Sequence, residues 1–223
     1  MVLEFFRRSG ASAIEIVESM LVDMLRDVAA VYGASNAAVF GGGKSKETKR
    51  EVKATDRHIN ALQQEVRRAL LVHTSVQDRV DLPLVLAYMS VVKDVERAGD
   101  YAKNVYDLAR YGANFEEAPD RAELEHYRDA VAGLIDDSAR VFTDRDAEQA
   151  SRLIEKADAF LSEYDTLVRA SYESTGPASD AVARALYYRY LKRITAHLMN
   201  LMTSLVMPVD RLDYYDETPD DRG

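Results

Sequence analysis

The sequence has no cysteine and no tryptophan. Without thiols, disulfides, thiolate zinc sites, iron–sulfur ligation and thiol nucleophiles are excluded. Glycine and proline are scarce, ten and five in 223 residues, which suits long helices better than a sandwich of short strands joined by many turns. No run of about 18 or more apolar residues occurs, so no membrane span is expected. The opening stretch Met1-Val2-Leu3-Glu4-Phe5-Phe6-Arg7-Arg8 is too short and too soon charged for a secretory signal, and a cytoplasmic location is expected. An excess of basic residues is also missing. The formal charge is -9, so the electrostatic footprint of a nucleic-acid binder is absent and no nucleic-acid partner is expected.

What is present is 47% apolar and 30% charged residues, the mixture of amphipathic helices around a real core. Apolar residues recur at helical spacing in six segments. The first runs from about Ser12 to Val39 through Val17, Leu21, Leu25 and Val28, and Gly41-Gly42-Gly43 ends it. The second spans roughly Ser45 to Thr74, with Val52, Ile59, Leu62, Val66 and Leu70 as its stripe. The third starts at Asp81, a capping residue with Pro83 in the first turn, and reaches about Tyr111. The fourth, fifth and sixth cover about 120–143, 146–172 and 179–208. Lys44, Lys46, Lys49, Arg50 and Lys53 cluster, interleaved with Glu47 and Glu51. This pattern reads as a solvated helix face with i,i+4 ion pairs.

The fold class expected is all-α, two pseudo-repeated three-helix units. Residues 1–113 form the first unit, 114–119 a linker, 120–209 the second, and 210–223 an acidic tail. The third and sixth helices align at a constant offset: Val95-Glu96-Arg97-Ala98 matches Leu191-Lys192-Arg193-Ile194, and Asn104 matches Asn200. The second and fifth align as Asp56-Arg57-His58-Ile59-Asn60 against Asp158-Ala159-Phe160-Leu161-Ser162. This has the look of a duplication.

The chemically pointed run is Asp94-Val95-Glu96-Arg97-Ala98-Gly99-Asp100. Glu96 and Asp100 are four apart, so they share a helix face at the flank of the apolar stripe. Gly99 removes a side chain where another helix can approach. Asp56 and Asn60 have the same spacing on the second helix. If the two helices are antiparallel neighbours, four oxygen-bearing side chains converge at their seam. Such a set suits hard cations such as Mg²⁺, Mn²⁺, Ca²⁺ or iron, which offset the cost of carboxylates near a core. Equally, Glu96 and Asp100 can pair with Lys93, Arg97, Lys103 or Arg57, and spacing leaves both readings open.

The stretch from Asp81 to Asn104, with Glu96-Arg97-Ala98-Gly99-Asp100 at its heart, resembles the third-helix signature of the PhoU family of phosphate-signalling proteins. Asp56 to Leu62 resembles its second-helix signature, and the likeness extends from about Ser12 to Val209. The resemblance implies a six-helix PhoU-like bundle. It further implies a cytoplasmic, non-enzymatic negative regulator of phosphate uptake, peripheral to the membrane and homodimeric. Such a regulator partners a membrane phosphate transporter, a sensor histidine kinase, or both. Family members bind metal through Glu/Asp-x-x-x-Asp motifs, so the resemblance implies a Mg, Mn, Zn or Fe cation at Glu96, Asp100, Asp56 and Asn60. The second repeat departs from the pattern: Lys192-Arg193-Ile194-Thr195-Ala196-His197 has lost both acids. Asp158 and His197 are weak candidates there, and Lys192 is expected to pair with Asp158 or another acid in place of a cation.

Other motifs carry less. Gly41-Gly42-Gly43-Lys44-Ser45 ends like a phosphate loop but lacks its strand. Glu123-Leu124-Glu125-His126 is one Glu-x-x-His, where a di-metal bundle site needs two and two further glutamates. His58 and His197 lie near the two edges, and the aromatic, basic segment Leu3 to Arg8 is a candidate membrane or transporter contact. Besides a regulator, two readings remain from the residues: a metal-dependent enzyme using the carboxylate edge, and a structural helical adaptor.

Overall fold

A computed structural model describes residues 12–42, 45–76 and 80–212. The segment Leu3 to Arg8 and the tail beyond Leu212 lie outside these residues. Six α-helices are present among them: α1 (Ala13–Ala37), α2 (Lys46–Val76), α3 (Leu82–Arg110), α4 (Arg121–Asp144), α5 (Ala147–Tyr172) and α6 (Ala178–Val206). No strand occurs among the described residues. The expected boundaries hold to within about two residues, the ordinary uncertainty of a helix end.

Local chemistry explains the starts. Ser12 and Glu15 form a reciprocal capping box at α1. Asp81 Oδ1 accepts from the Leu84 amide at 3.2 Å, and Asp146 Oδ1 accepts from Gln149 at 2.9 Å. Asp120 makes no such cap bond at α4. Its carboxylate instead accepts two hydrogen bonds from the Arg184 guanidinium on α6. After α1 the chain passes through a π-like turn, Ala38–Gly42, and turns away at Gly41 with φ 102°, the left-handed region open to glycine. At the far end Val209–Arg211 forms a 3₁₀ turn. There the Thr203 hydroxyl donates to the carbonyl of buried Leu212, so the first residues of the tail are tied to the bundle.

The packing follows from the stripes. Within each triplet the helices pack on one another, and across the triplets α1 meets α4 and α3 meets α6. Four helices thus make an inner layer, with α2 and α5 flanking it. One apolar core runs through both triplets, from Leu21, Leu25 and Val28 through Val92, Ala98 and Val105 to Leu134, Leu191 and Leu198. The duplication expected from the alignment has a spatial counterpart. At the α3–α6 crossing, His197 Nδ1 donates to Asp94 Oδ1 at 2.9 Å. The same 96-residue offset turns this pair into Tyr190 and Tyr101, whose rings lie 6.1 Å apart. The two contacts are mates about a pseudo-two-fold axis.

Asp94 and His197 are buried, at 1% and 4% exposure. Asn200 Nδ2 also donates to Asp94 Oδ1 at 3.3 Å, and Lys93 Nζ stands 3.5 Å from the other oxygen, an ion-pair distance rather than a hydrogen bond. Tyr101 stacks on the His197 ring at 5.8 Å. A carboxylate so enclosed is tolerable only while its partners stay in place.

Gly99 faces its neighbours on α2 and α1: a Cβ there would lie 2.8 Å from Ile59 Cδ1 and 3.5 Å from Val28 Cγ2. Glycine inside a helix costs about 1 kcal/mol relative to alanine, and here that cost secures the close approach. Gly99→Val should lower the unfolding free energy by about 2 kcal/mol through overpacking, and should cost less in an Ile59→Ala background than in the parent, read as a double-mutant cycle in urea titrations. Asp94→Ala should cost roughly 3 kcal/mol, whereas Asp94→Asn, which keeps an acceptor toward His197, should cost about 1 kcal/mol. The midpoints of the same titrations separate the two.

The carboxylate edge as a candidate functional site

Helices α2 and α3 present Asp56 and Asp100 to each other across their seam. Between the two acids stands the Lys103 ammonium. Its Nζ donates to Asp56 Oδ1 at 2.6 Å and to Asp100 Oδ1 at 2.8 Å. Of the four cations that spacing allowed, the structure selects Lys103 for Asp100. Lys93 goes to Asp94, and Arg57 and Arg97 make no ion pair among the described residues. Burial by itself would push the Lys103 ammonium down, but its bonds to Asp100 and Asp56 outweigh this and hold it above the ordinary lysine range. The bridge is therefore a charged one at neutral pH.

Glu96 lies one turn before Asp100 and is half-buried. Its carboxyl is raised above the ordinary value of 4.5, first by burial and then by the neighbouring Asp100 charge. Arg97 and Lys103 pull it back only in part. Asn60 is turned along its own helix, Nδ2 donating to the Asp56 carbonyl at 2.9 Å. The structure thus brings Asp56, Glu96 and Asp100 into mutual range, with a lysine already at the point where Asp56 and Asp100 meet. Among the described residues no group of three or more His, Asp or Glu side chains is arranged to hold a metal ion. As placed, the donor set fits an ammonium, and a metal ion would have to displace it.

In the second repeat Lys192 pairs with Asp165 on α5. Asp158 lies half-buried on α5, while His197 Nδ1 is engaged with Asp94 across the triplets. His58, 61% exposed at its side chain, pairs with Asp27 of α1 at 2.6 Å. His126 is exposed and packs its ring against Tyr127.

One expectation needs correcting. The basic cluster on α2 is solvated, but Glu47 and Glu51 form no ion pairs with it among the described residues. At i,i+4 the register stacks like on like, Glu47 with Glu51 and Lys49 with Lys53, and the one opposite pair at i,i+3 among the described residues of the cluster, Glu47 with Arg50, forms no ion pair. Lys49, Lys53 and Arg57 consequently line one side of a shallow groove of about 320 Å³ beside the seam, with Lys103 and Arg110 opposite. The buried Asp94–His197 pair was not foreseen. Its signal was available: Asp94 stands one turn before Ala98, in line with the apolar stripe, where an acid needs a partner.

The raised Glu96 carboxyl has a definite pH sign. Its ionised form is disfavoured in the folded state, so stability falls as pH rises from the ordinary glutamate value through the folded one, and no cost remains below both. Glu96→Gln should match the parent in melting temperature near pH 3 and exceed it near pH 8, about the limits of the window. Thermal melts across that range check the divergence.

The chain was compared with known proteins. Residues 13–109, covering α1 to α3, match the family model described as PhoU domain. A curated relative from Synechocystis, the phosphate-specific transport system accessory protein PhoU homolog, is 27% identical over 162 residues, 71% of this chain and 70% of that protein. The fold matches the crystal structure of PhoU from Pseudomonas aeruginosa with a TM-score of 0.76 at 22% identity, covering 87% of this chain and 95% of that one. It matches the phosphate transport system regulatory protein PhoU from Streptococcus pneumoniae with a TM-score of 0.75 at 17% identity, covering 89% and 94%. By sequence, residues 13–109 match a PhoU domain, and the fold of the chain is similar to that of the PhoU crystal structures.

Proposed function

We propose that this protein is a negative regulator of phosphate uptake that works by contact with a membrane phosphate transporter, with a sensor kinase, or with both. The observation that carries this reading is the match to a PhoU domain at residues 13–109, supported by the names of the relatives, one a phosphate transport accessory protein and one a phosphate transport regulatory protein. The reading places the protein at the cytoplasmic face of the transporter, as a homodimer; no described helix is long and apolar enough to cross a membrane. Its work there is binding rather than catalysis.

A surface suited to such contact lies beside the 111–120 connection. Tyr111 and Val182 are 82% and 56% exposed and line a groove of about 670 Å³ between that connection and the start of α6. Exposed apolar side chains gathered at one groove are a common mark of protein contact.

Deletion should raise phosphate uptake and alter phosphate-responsive transcription, measured as radiolabelled phosphate accumulation and reporter activity in high and low phosphate. Unchanged uptake and unchanged transcription in a clean deletion would sink the regulatory reading. Co-purification of the transporter from solubilised membranes tests the contact separately.

A further inference from the structure

We infer that Lys103 is the resident cation of the α2–α3 seam, a tethered ammonium standing where a metal ion would otherwise bridge Asp56 and Asp100. The reading is independent of the regulatory role proposed above.

The geometry makes the two occupants mutually exclusive. Lys103 Nζ is within 2.6 and 2.8 Å of one oxygen on each acid. A Mg²⁺, Mn²⁺ or Ca²⁺ ion takes carboxylate oxygens at about 2.0–2.6 Å. An ion on those oxygens would have to displace the ammonium, and one on the second oxygen of each acid would sit against its positive charge. The ammonium is not a loose surface group: its side chain is 29% exposed and that of Asp56 17%. Asn60, the fourth member of the set, has its amide nitrogen engaged with the helix backbone.

The second repeat supports the assignment independently. There Lys192 occupies the position equivalent to Glu96 and reaches Asp165 across the α5–α6 seam. Both outer hairpins are thus closed by a lysine of the third helix on an aspartate of the second. The two lysines come from different positions, since the 96-residue offset carries Lys103 onto Met199. The same electrostatic solution is reached at two non-equivalent places. In both, the charge is supplied by the chain, although Asp165 at 60% exposure is far more open to water than Asp56 at 17%.

The test compares the full-length protein with Lys103→Met and Lys103→Arg, each stripped with chelator and titrated with Mn²⁺. Metal content is read by mass spectrometry, affinity by calorimetry and stability by thermal melts. The parent should hold no stoichiometric Mn²⁺ and melt at the same temperature with and without it. Lys103→Met should melt lower in chelator, recover with Mn²⁺, and bind one ion roughly tenfold or more tighter than the parent. Adding Asp100→Asn should abolish that gain. Lys103→Arg keeps the charge and should behave as the parent.

Two results would overturn the inference. One is a Mn²⁺ ion bound stoichiometrically by the parent and lost with Asp100→Asn. The other is failure of folded Lys103→Met to bind Mn²⁺ better than the parent. If Lys103→Met does not fold, Lys103→Gln takes its place, and the parent measurement stands on its own.

Discussion

Helices α3 and α6 cross at the centre of the molecule, and everything else is arranged around the burial of that crossing. Each packs against helices of its own triplet and against the other. Each therefore needs a wide apolar face: Val91, Val95, Ala98 and Val105 on α3 and Leu191, Ile194, Leu198 and Leu201 on α6 are all excluded from water, and on α3 the polar residues other than Asp94 are confined to one edge. The outer helices α2 and α5 need only one apolar stripe each, and their charge density follows from that freedom. Polar atoms admitted to the crossing must bring partners with them, which is why Asp94 is met by both His197 and Asn200.

Helix length, order and ends were legible because each depends on near neighbours in the chain. Ser12, Asp81 and Asp146 cap their helices by reaching three residues ahead, and the stripes repeat within a turn. Gly99 was legible too, because a glycine amid good helix formers costs stability unless something packs against it. The partner of a long side chain was not. Lys103, Lys93, Arg97 and Arg57 all lie within reach of the carboxylate edge in sequence, and rotamer and seam geometry decide among them. Likewise Lys192 could be assigned an acid but not which acid. Contacts between triplets, such as Asp94 with His197, depend on how two stripes cross, and neither stripe contains that information alone.

The seams show how such a bundle holds half-buried acids. A carboxylate near a core must be protonated, paired or given a cation. The first repeat uses two of these answers within one turn. Asp100 shares the Lys103 ammonium with Asp56, and Glu96, left beside them, is pushed toward its protonated form. The groove alongside, rimmed by Lys49, Lys53 and Arg57, sets a local positive field against the net charge of -9, so the face near the seam attracts anions while the molecule as a whole repels them.

The unlike pairs at the crossing, Asp94 with His197 and Tyr190 with Tyr101, also make the two halves non-interchangeable. If two copies of the first triplet joined through α3 in the manner of α3 and α6, Asp94 of each would meet Tyr101 of the other, since Tyr101 holds the place that His197 holds in the second triplet. Both carboxylates would then be enclosed without an imidazole. A buried hydrogen-bonding partner present in only one half therefore favours the joining of unlike halves over the joining of like ones.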